Sequence, residues 1–359
     1  MSPETPLSPK VLFFTKGVAI NPASRYRFLQ YLPYFRQYGF ETEVKPLFGE
    51  DYYRAAFSQN RSARFWGKTA SSLVSFARRS VTLFDLPQVD LVVVENQLFP
   101  YDPGVLESLL FASAKRTIFE FDDAIYLTPL HQSKLRRILA KADLVIVGNE
   151  HLAGFVHPVN SKVAVVPTVI DLLRYHEPEP EPHKGPLRLG WVGLPSTMKY
   201  LDIVVEPLRR LAQEIPIEFR VVSSKKPEIE GVPLRFIPWE EASEAQELAR
   251  LDVGIMPLSD DEWARGKCGA KLLQYMAAGR AAVASPVGVN RSILVDGETG
   301  LLARSGEDWY HALKFLAEHP ERRAAMGRAG RSRVAEHYSL QTWAPRVAEL
   351  YRKVIEGGK

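Results

Sequence analysis

The sequence predicts two consecutive doubly wound α/β domains, and three observations point there. Short β-rich apolar runs recur along the whole chain, most of them four or five residues without polar alternation. Such runs mark strands covered on both faces, as in a parallel sheet with crossover helices. Amphipathic stretches of helical spacing separate them, and the pattern restarts after a proline-rich interruption. A chain of 359 residues also exceeds what one hydrophobic core normally takes.

In the first half the expected strands span 11–15, 43–47, 91–95, 117–121, 144–148 and 163–166. The segment 177–186 reads EPEPEPHKGP. Its alternating prolines forbid a helix and lack amide hydrogens for a sheet, so it is expected to be an extended, exposed linker. Residues 1–176 are therefore read as an N-terminal, acceptor-binding Rossmann-like domain. After the linker, strands are expected at 187–192, 219–222, 234–237, 253–256, 281–284 and 301–303, making 187–338 a second Rossmann-like domain. From residue 307 onward the apolar positions Trp309, Leu313 and Leu316, then Val347, Leu350, Tyr351 and Val354, keep helical spacing, with a break at Pro320. Ligands of doubly wound sheets sit beyond the carboxyl ends of the strands, so two facing domains would make a deep cleft.

Composition narrows the function. With 46% hydrophobic and 25% charged residues the chain is an ordinary globular one, which excludes disordered and collagenous classes. The net charge of +4 (46 minus 42) is too mild to argue for nucleic acid. Cys268 is the only cysteine, so neither an internal disulfide nor a multi-thiolate metal site is expected. The start MSPETPLSPK has no signal-peptide pattern, and the longest apolar stretches fall far short of the ~20 residues that span a bilayer. A cytoplasmic protein is expected, with any membrane contact peripheral, on the inner face. One segment, 52–84, interleaves Arg54, Arg61, Arg64, Lys68, Arg78 and Arg79 with Tyr52, Tyr53, Phe57, Phe65, Trp66 and Phe76. That mixture suits an anionic membrane surface, and a solvated helix face packed through its apolar side fits equally well.

The chemistry is expected in 254–288, GIMPLSDDEWARGKCGAKLLQYMAAGRAAVASPVG. A strand ends at Met256, a loop follows, a helix starts near Gly269 and Gly279 stops it. The loop and the helix amino terminus would lie together at the carboxyl edge of the sheet, where amide hydrogens and the helix dipole favour an anion. Arg265 and Lys267 stand in the loop. Lys271 stands in the first helical turn, where a cation works against the dipole unless something anionic is bound. Trp239, Trp309 and Trp343 fall in apolar patterns and read as core.

Leu272-Leu273-Gln274-Tyr275-Met276-Ala277-Ala278-Gly279, Val283-Ala284-Ser285, Gly288 and Asp296-Gly297-Glu298-Thr299-Gly300-Leu301-Leu302 together resemble the donor domain of retaining glycosyltransferases of family four, the group 1 glycosyltransferases, which have the GT-B fold. The resemblance reaches back to Val165-Val166-Pro167-Thr168 and Asp171. It implies transfer of a sugar from a nucleotide-sugar, UDP- or GDP-linked, with anomeric configuration retained and no metal or other cofactor. The acceptor would be a polysaccharide, a lipid-linked glycan or another cell-envelope component. It also implies a last helix, 339–359, that crosses back to the first domain.

Members of that family often carry two glutamates eight positions apart, one for the donor sugar and one for the ribose. Gly266 and Gln274 stand in those places. Gln274 keeps an amide for the ribose, and Asp261 or Glu262 would have to meet the sugar in place of Gly266. Lys199, following Gly193-Leu194-Pro195-Ser196-Thr197, resembles the family lysine near the phosphates. Ser196 and Thr197 are placed with the donor, and a helix-capping role is the other reading of Thr197. Arg265, Lys199, Lys267 and the helix amides would stabilise the departing phosphate, with Lys271 and Gly269 beside them. In the front-face mechanism attributed to the family the leaving phosphate takes the acceptor's proton.

In the first domain, GVAINPASRYR at 17–27 is a loop leading into a helix begun by Pro22 or Ser24. Gly17 is expected at the donor phosphate, and Arg25 and Arg27 at the acceptor. Asp122 and Asp123, at the end of the fourth strand, would position the acceptor hydroxyl or serve as cap and ion-pair partner. Two other functions remain open: a sugar-nucleotide epimerase of the same fold, and a degenerate, non-catalytic scaffold, which Gly266 favours.

Overall fold

A computed structural model describes residues 8–56, 61–99, 104–128, 131–176 and 185–357. They form two compact units. One contains the described residues up to Thr168 together with those from Trp343 onward, and the other is Val169–Thr342. The division thus falls ahead of 177–186, most of which lies outside the described residues.

The first unit runs β1 (Lys10–Phe14), α1 (Pro22–Arg27), α2 (Leu32–Gln37), β2 (Glu41–Val44), α3 (Glu50–Ala56), α4 (Arg61–Thr82) and β3 (Leu91–Glu95). It continues with α5 (Val105–Ser113), β4 (Thr117–Phe121), α6 (His131–Leu139), β5 (Leu144–Val147), α7 (Glu150–Val156) and β6 (Val163–Val165). The strands pair in the order β2-β1-β3-β4-β5-β6, all parallel. Every residue of β3 and β4 is buried, as their unbroken apolar runs require. Strand order reverses between β1 and β3, and there the loop after β1 meets the end of β3. Asn21 caps α1 by accepting the Ser24 amide, with Pro22 at the first helical position.

Arg79 of α4 is buried among these strand ends. Its guanidinium lies 5.2 Å from the Phe14 ring and donates to the carbonyls of Leu98 at 2.9 Å, Thr15 at 2.5 Å and Lys45 at 2.7 Å. Burial pulls its pKa down to about 9, against the raising effect of Glu95 and Glu107. One of the six cations counted toward a surface patch therefore faces inward.

The second unit runs β7 (Leu187–Val192), α8 (Asp202–Glu214), β8 (Ile217–Ser223), β9 (Leu234–Pro238), α9 (Glu244–Ala249), β10 (Val253–Met256), α10 (Glu262–Arg265) and α11 (Ala270–Ala277). It continues with β11 (Ala281–Ala284), α12 (Asn290–Ile293), β12 (Leu301–Leu302), α13 (Gly306–Glu318) and α14 (Pro320–His337). Pro320 separates the last two. The last helix, α15 (Leu340–Ile355), begins in this unit and continues from Trp343 in the first, where Tyr351 stacks on Phe35 at 5.0 Å. Strand order in the second unit is β12-β11-β10-β7-β8-β9, again parallel. The reversal falls between β7 and β10.

At that reversal the two strands pair only through Leu189↔Val253 and Gly190↔Gly254. Beyond this pair the Tyr275 hydroxyl of α11 enters between them, accepting the Val192 amide at 3.1 Å and donating to the Ile255 carbonyl at 3.3 Å. The ring is fully buried, which raises the phenol pKa well above its ordinary value. It fits because Gly254 has no side chain: a Cβ there would lie 2.1 Å from the Tyr275 ring. The strands are thus bridged by a side chain at their carboxyl ends, where a doubly wound sheet binds its ligand. Tyr275→Phe would leave a buried amide and carbonyl unsatisfied, and a loss of about 1–3 kcal/mol is expected in denaturant unfolding. Gly254→Ala, which collides with the ring itself, is expected to cost more.

Candidate donor and acceptor sites

In the second unit α11 begins at Gly269, a position that only glycine fits on two counts. Its φ is +71°, and a Cβ there would lie 2.1 Å from Ile293 Cδ1. The first turn of α11 therefore ends on bare backbone amides beside the β7–β10 opening. Lys271 of that turn reaches Gly193 at the end of β7: a Cβ on Gly193 would lie 2.8 Å from Lys271 Cε. The Lys271 ammonium is 5.4 Å from the Trp191 ring. Trp191 is fully buried in the core of this unit, and its π-electron density partly offsets the cation's unfavourable place on the helix dipole.

The charges of Lys199 and Lys267 both act on Asp261. The Asp261 carboxyl is held below the usual carboxylate range first by the Ser259 hydroxyl, then by the Ala264 amide and by the charges of Lys199 and Lys267. Asp261 thereby caps α10. Lys267 also lies 5.7 Å from the Trp263 ring, and Lys199 is exposed, 5.0 Å from the Tyr200 ring. Arg265 is half-exposed and engaged with Asp260 at 2.7 Å, so its guanidinium is already partnered by a carboxylate. Glu262 is exposed in the first turn of α10, and Gly266 ends that helix.

Ser196 and Thr197 fall in a single 3-10 stretch, Pro195–Leu201. Thr197 does not cap a helix: its hydroxyl donates to the Leu194 carbonyl at 2.9 Å, because Pro195 opens a tight turn and α8 begins only at Asp202. Gln274 is buried, and its amide nitrogen donates to Glu244 at 2.9 Å. The structure therefore brings Lys199 and Lys267 within electrostatic reach of Asp261, sets Lys271 beside Gly193, and ties Gln274 to a glutamate 30 positions earlier.

In the first unit the loop after β1 hangs on Glu95. Glu95 Oε2 accepts the Lys16 amide at 2.7 Å and the Ser24 hydroxyl at 2.7 Å, and Ser24 Oγ in turn accepts the Gly17 amide at 3.1 Å. Gly17 is buried against Tyr53, whose hydroxyl would lie 2.1 Å from a Cβ there. Burial raises the Glu95 pKa to about 7, against the hydrogen bonds from Ser24 and Lys16 and with the help of the Asp122 charge.

Arg27 is buried, with its Nε on Glu120 Oε1 at 2.7 Å and its NH1 on the Val166 carbonyl at 2.8 Å. Burial outweighs this ion pair and raises Glu120 to about 7 as well. A guanidinium bound to a buried carboxylate and a main-chain carbonyl ties α1 to β4 and the end of β6, a different setting from the acceptor contact expected of it. Arg25 is buried beside Tyr26, 4.8 Å from the ring. Asp122 and Asp123 are half-buried beyond β4, and the charge of Asp122 acts on both Glu95 and Glu120. Among the described residues no group of three His, Cys, Asp or Glu side chains is arranged to hold a metal ion.

Glu95 and Tyr275 are not among the site residues that the sequence predicts. Glu95 carried a signal: a carboxylate closing the run LVVVE is a charge placed on a buried strand end. The bond between Gln274 and Glu244 had none, since it joins residues distant in sequence.

Residues 203–349 match the model of a family described as glycosyl transferase-like. Among solved structures, sucrose-phosphate synthase from Thermosynechococcus elongatus aligns with a TM-score of 0.70 at 14% identity, covering 98% of this chain and 100% of its own. A glycosyltransferase from Rickettsia africae aligns at 0.72 and 12% identity, covering 97% and 99%. Anabaena HepE in complex with UDP-glucose aligns at 0.65 and 16% identity, covering 96% and 99%. No curated protein matches. The fold is GT-B, and the family match agrees with the group 1 glycosyltransferase resemblance read from the sequence.

The Glu95 carboxyl gives a pH test. Its folded pKa, about 7, stands above the ordinary 4.5, so the folded state binds more protons between those values and stability falls as pH rises through them. Glu95→Gln mimics the protonated form. Unfolding measured from pH 4.5 to 7.5 is expected to show wild type losing stability relative to this variant, on the order of 3 kcal/mol at the upper end.

Proposed function

We propose that this chain is a retaining glycosyltransferase that moves a sugar from a UDP- or GDP-linked donor to a polysaccharide, lipid-linked or other cell-envelope acceptor. The observation that carries the reading is the set of cations at the carboxyl edge of the second unit: Lys199 and Lys267 around Asp261, and Lys271 against Gly193. These groups, with the amides opening α11, suit a diphosphate. UDP-glucose in the complex of Anabaena HepE is a donor of the same chemistry.

Departure of the nucleoside diphosphate builds negative charge on its β-phosphate while the sugar becomes cationic. Cations and helix amides at that edge would stabilise that charge, usually the largest contribution such a site offers. The leaving phosphate would take the acceptor's proton, so no protein nucleophile and no metal is assigned a step. Asp122, Asp123 and Arg25 are assigned to the acceptor. With Gly266 in place of a glutamate, the hydroxyls of the donor sugar would be met from the Asp261–Glu262 turn.

Gly266 also favours the scaffold reading, in which nucleotide binds and nothing turns over. Release of nucleoside diphosphate from a panel of UDP- and GDP-sugars separates the two. Turnover that survives EDTA is expected, with kcat falling about 100-fold or more in Lys271→Ala and in Lys267→Ala. Full activity in both variants would exclude the diphosphate role. Formation of an epimerised donor without acceptor would move the chain to the epimerase class.

The segment 52–84 supports a second part of the proposal, contact with an anionic membrane surface. Among the described residues no helix is long and apolar enough to cross a membrane. Yet α4 exposes Trp66, Leu73, Val74 and Val81 in a stripe of helical spacing, with Arg78 exposed beside it. Phe57 and the side chains of Arg61 and Arg64 lie outside the described residues. Vesicles containing anionic lipid are expected to bind the protein and neutral vesicles to bind it weakly. Trp66→Ala is expected to weaken the anionic binding several-fold, and equal binding to both lipids would defeat this part.

A further inference from the structure

Arg331 of α14 bonds to the carboxyl end of α11 and to the stretch through which the chain enters the second unit. A helix leaves its last four carbonyls without partners of its own. In α11 three of them are taken by the cap. Gln274 accepts the Ala278 amide at 3.0 Å, Met276 the Gly279 amide at 2.9 Å and Tyr275 the Arg280 amide at 2.9 Å, around Gly279 at φ +67°. The fourth, the Ala277 carbonyl, accepts from one nitrogen of the Arg331 guanidinium. α14 comes this close because it presents a glycine: a Cβ on Gly327 would lie 2.1 Å from the Gly279 carbonyl oxygen. A cation at this end also suits the helix dipole.

The other guanidinium nitrogen donates to the Tyr175 carbonyl at 2.8 Å. The chain enters this unit at Val169 and leaves it at Thr342, and the two passages are bonded to each other. The Ile170 amide donates to the Tyr338 carbonyl at 2.9 Å, and the Leu340 amide donates to the Ile170 carbonyl at 2.9 Å. The Gln341 side-chain amide donates to the Asp171 carboxylate at 2.8 Å. Asp171 also accepts the Leu173 amide at 3.1 Å, which starts the single turn Leu172–Arg174 leading to Tyr175. Asp171, part of the sequence resemblance but given no task by it, thus pins the entry to the exit.

We infer that Arg331 couples the donor edge to these paired passages, so that a diphosphate at the first turn of α11 and the backbone of 169–176 and 338–341 are restrained together. The inference rests on the proposed donor reading. α11 has eight residues and is a rod of about 12 Å, with Lys271 and unpaired amides at one end and the Ala277 carbonyl at the other. Tyr275 holds the rod at β7 and β10. An anion gripping the first turn therefore restrains the far end too, and Arg331 hands that restraint to Tyr175 and the passages. Donor and acceptor groups are assigned to different units, so loading of the donor edge is felt where the chain runs between them. Such coupling is reciprocal: whatever restrains the passages favours the diphosphate by the same factor.

Hydrogen exchange of the whole chain, read by mass spectrometry with and without inorganic pyrophosphate, tests this. In wild type, pyrophosphate is expected to slow exchange at the start of α11 and, by about fivefold, at 170–176 and 338–341. Arg331→Met removes the fork. Arg331→Lys keeps the charge at the helix end but cannot hold two carbonyls, and carries the same test should the methionine variant fail to fold. Either variant is expected to keep the slowing at α11, which reports an intact fold and site, and to lose it at the passages. Slowing at the passages that survives in Arg331→Lys or Arg331→Met would overturn the coupling. Slowing confined to α11 in wild type would overturn it and leave the donor reading standing. Loss of the slowing at α11 in both variants would overturn it in favour of a purely structural arginine. A wild type that shows no slowing at α11 would overturn the donor reading and this inference with it.

Discussion

The Tyr275 hydroxyl, wedged between β7 and β10, is the constraint on which the second unit's site depends. Parallel strands ordinarily satisfy one another's amides and carbonyls to their ends. Here the ladder stops at the Gly190↔Gly254 pair, and a phenol takes over for Val192 and Ile255. Three of the residues proposed for the donor are referenced to that bridge. Gly193 follows Val192 directly, Lys271 is one turn before Tyr275 on the same helix, and Gln274 is its neighbour. A site whose parts hang on one buried ring is held with little slack, which is what electrostatic stabilisation of a departing phosphate requires.

The first unit solves a similar problem with charge instead of a ring. Its strand ends carry Glu95 and Glu120, both enclosed, both raised toward neutrality by burial. Glu120 is held by a guanidinium, whereas Glu95 is held by a main-chain amide and a hydroxyl, and through Ser24 it governs the amide of Gly17. Such buried carboxylates are costly to ionise and contribute little to stability, so their value lies in fixing the loop after β1 and the start of α1 in one arrangement.

Most strands were legible almost to the residue because covered parallel strands write themselves as continuous apolar runs, whereas the half-exposed edge strand β2 lies at Glu41–Val44 and not at 43–47. Leu91–Glu95, Thr117–Phe121, Leu187–Val192, Val253–Met256 and Ala281–Ala284 all lie where those runs stand. The start of α11 was legible for a related reason: Gly269 must adopt a positive φ. The tertiary pairings were not. Nothing in RYR at 25–27 tells that Arg27 turns inward to Glu120 while a lysine elsewhere stays at the surface, since that depends on which side of α1 meets β4. The turn at Pro195 hid the true bond of Thr197, and the half-open face of Trp239 was masked by the apolar residues around it.

Arg79 has a mechanical meaning as well. Its fork grips the main chain beyond three neighbouring strands, so α4 is riveted to the rim of the sheet near its carboxyl-terminal end. To peel the helix away would strand three carbonyls and a guanidinium in a dry interior. Whatever presses on the outer surface of α4 therefore loads the stretch around Thr15, two residues from Gly17, as a rigid strut would, and the helix cannot swing as a tethered arm.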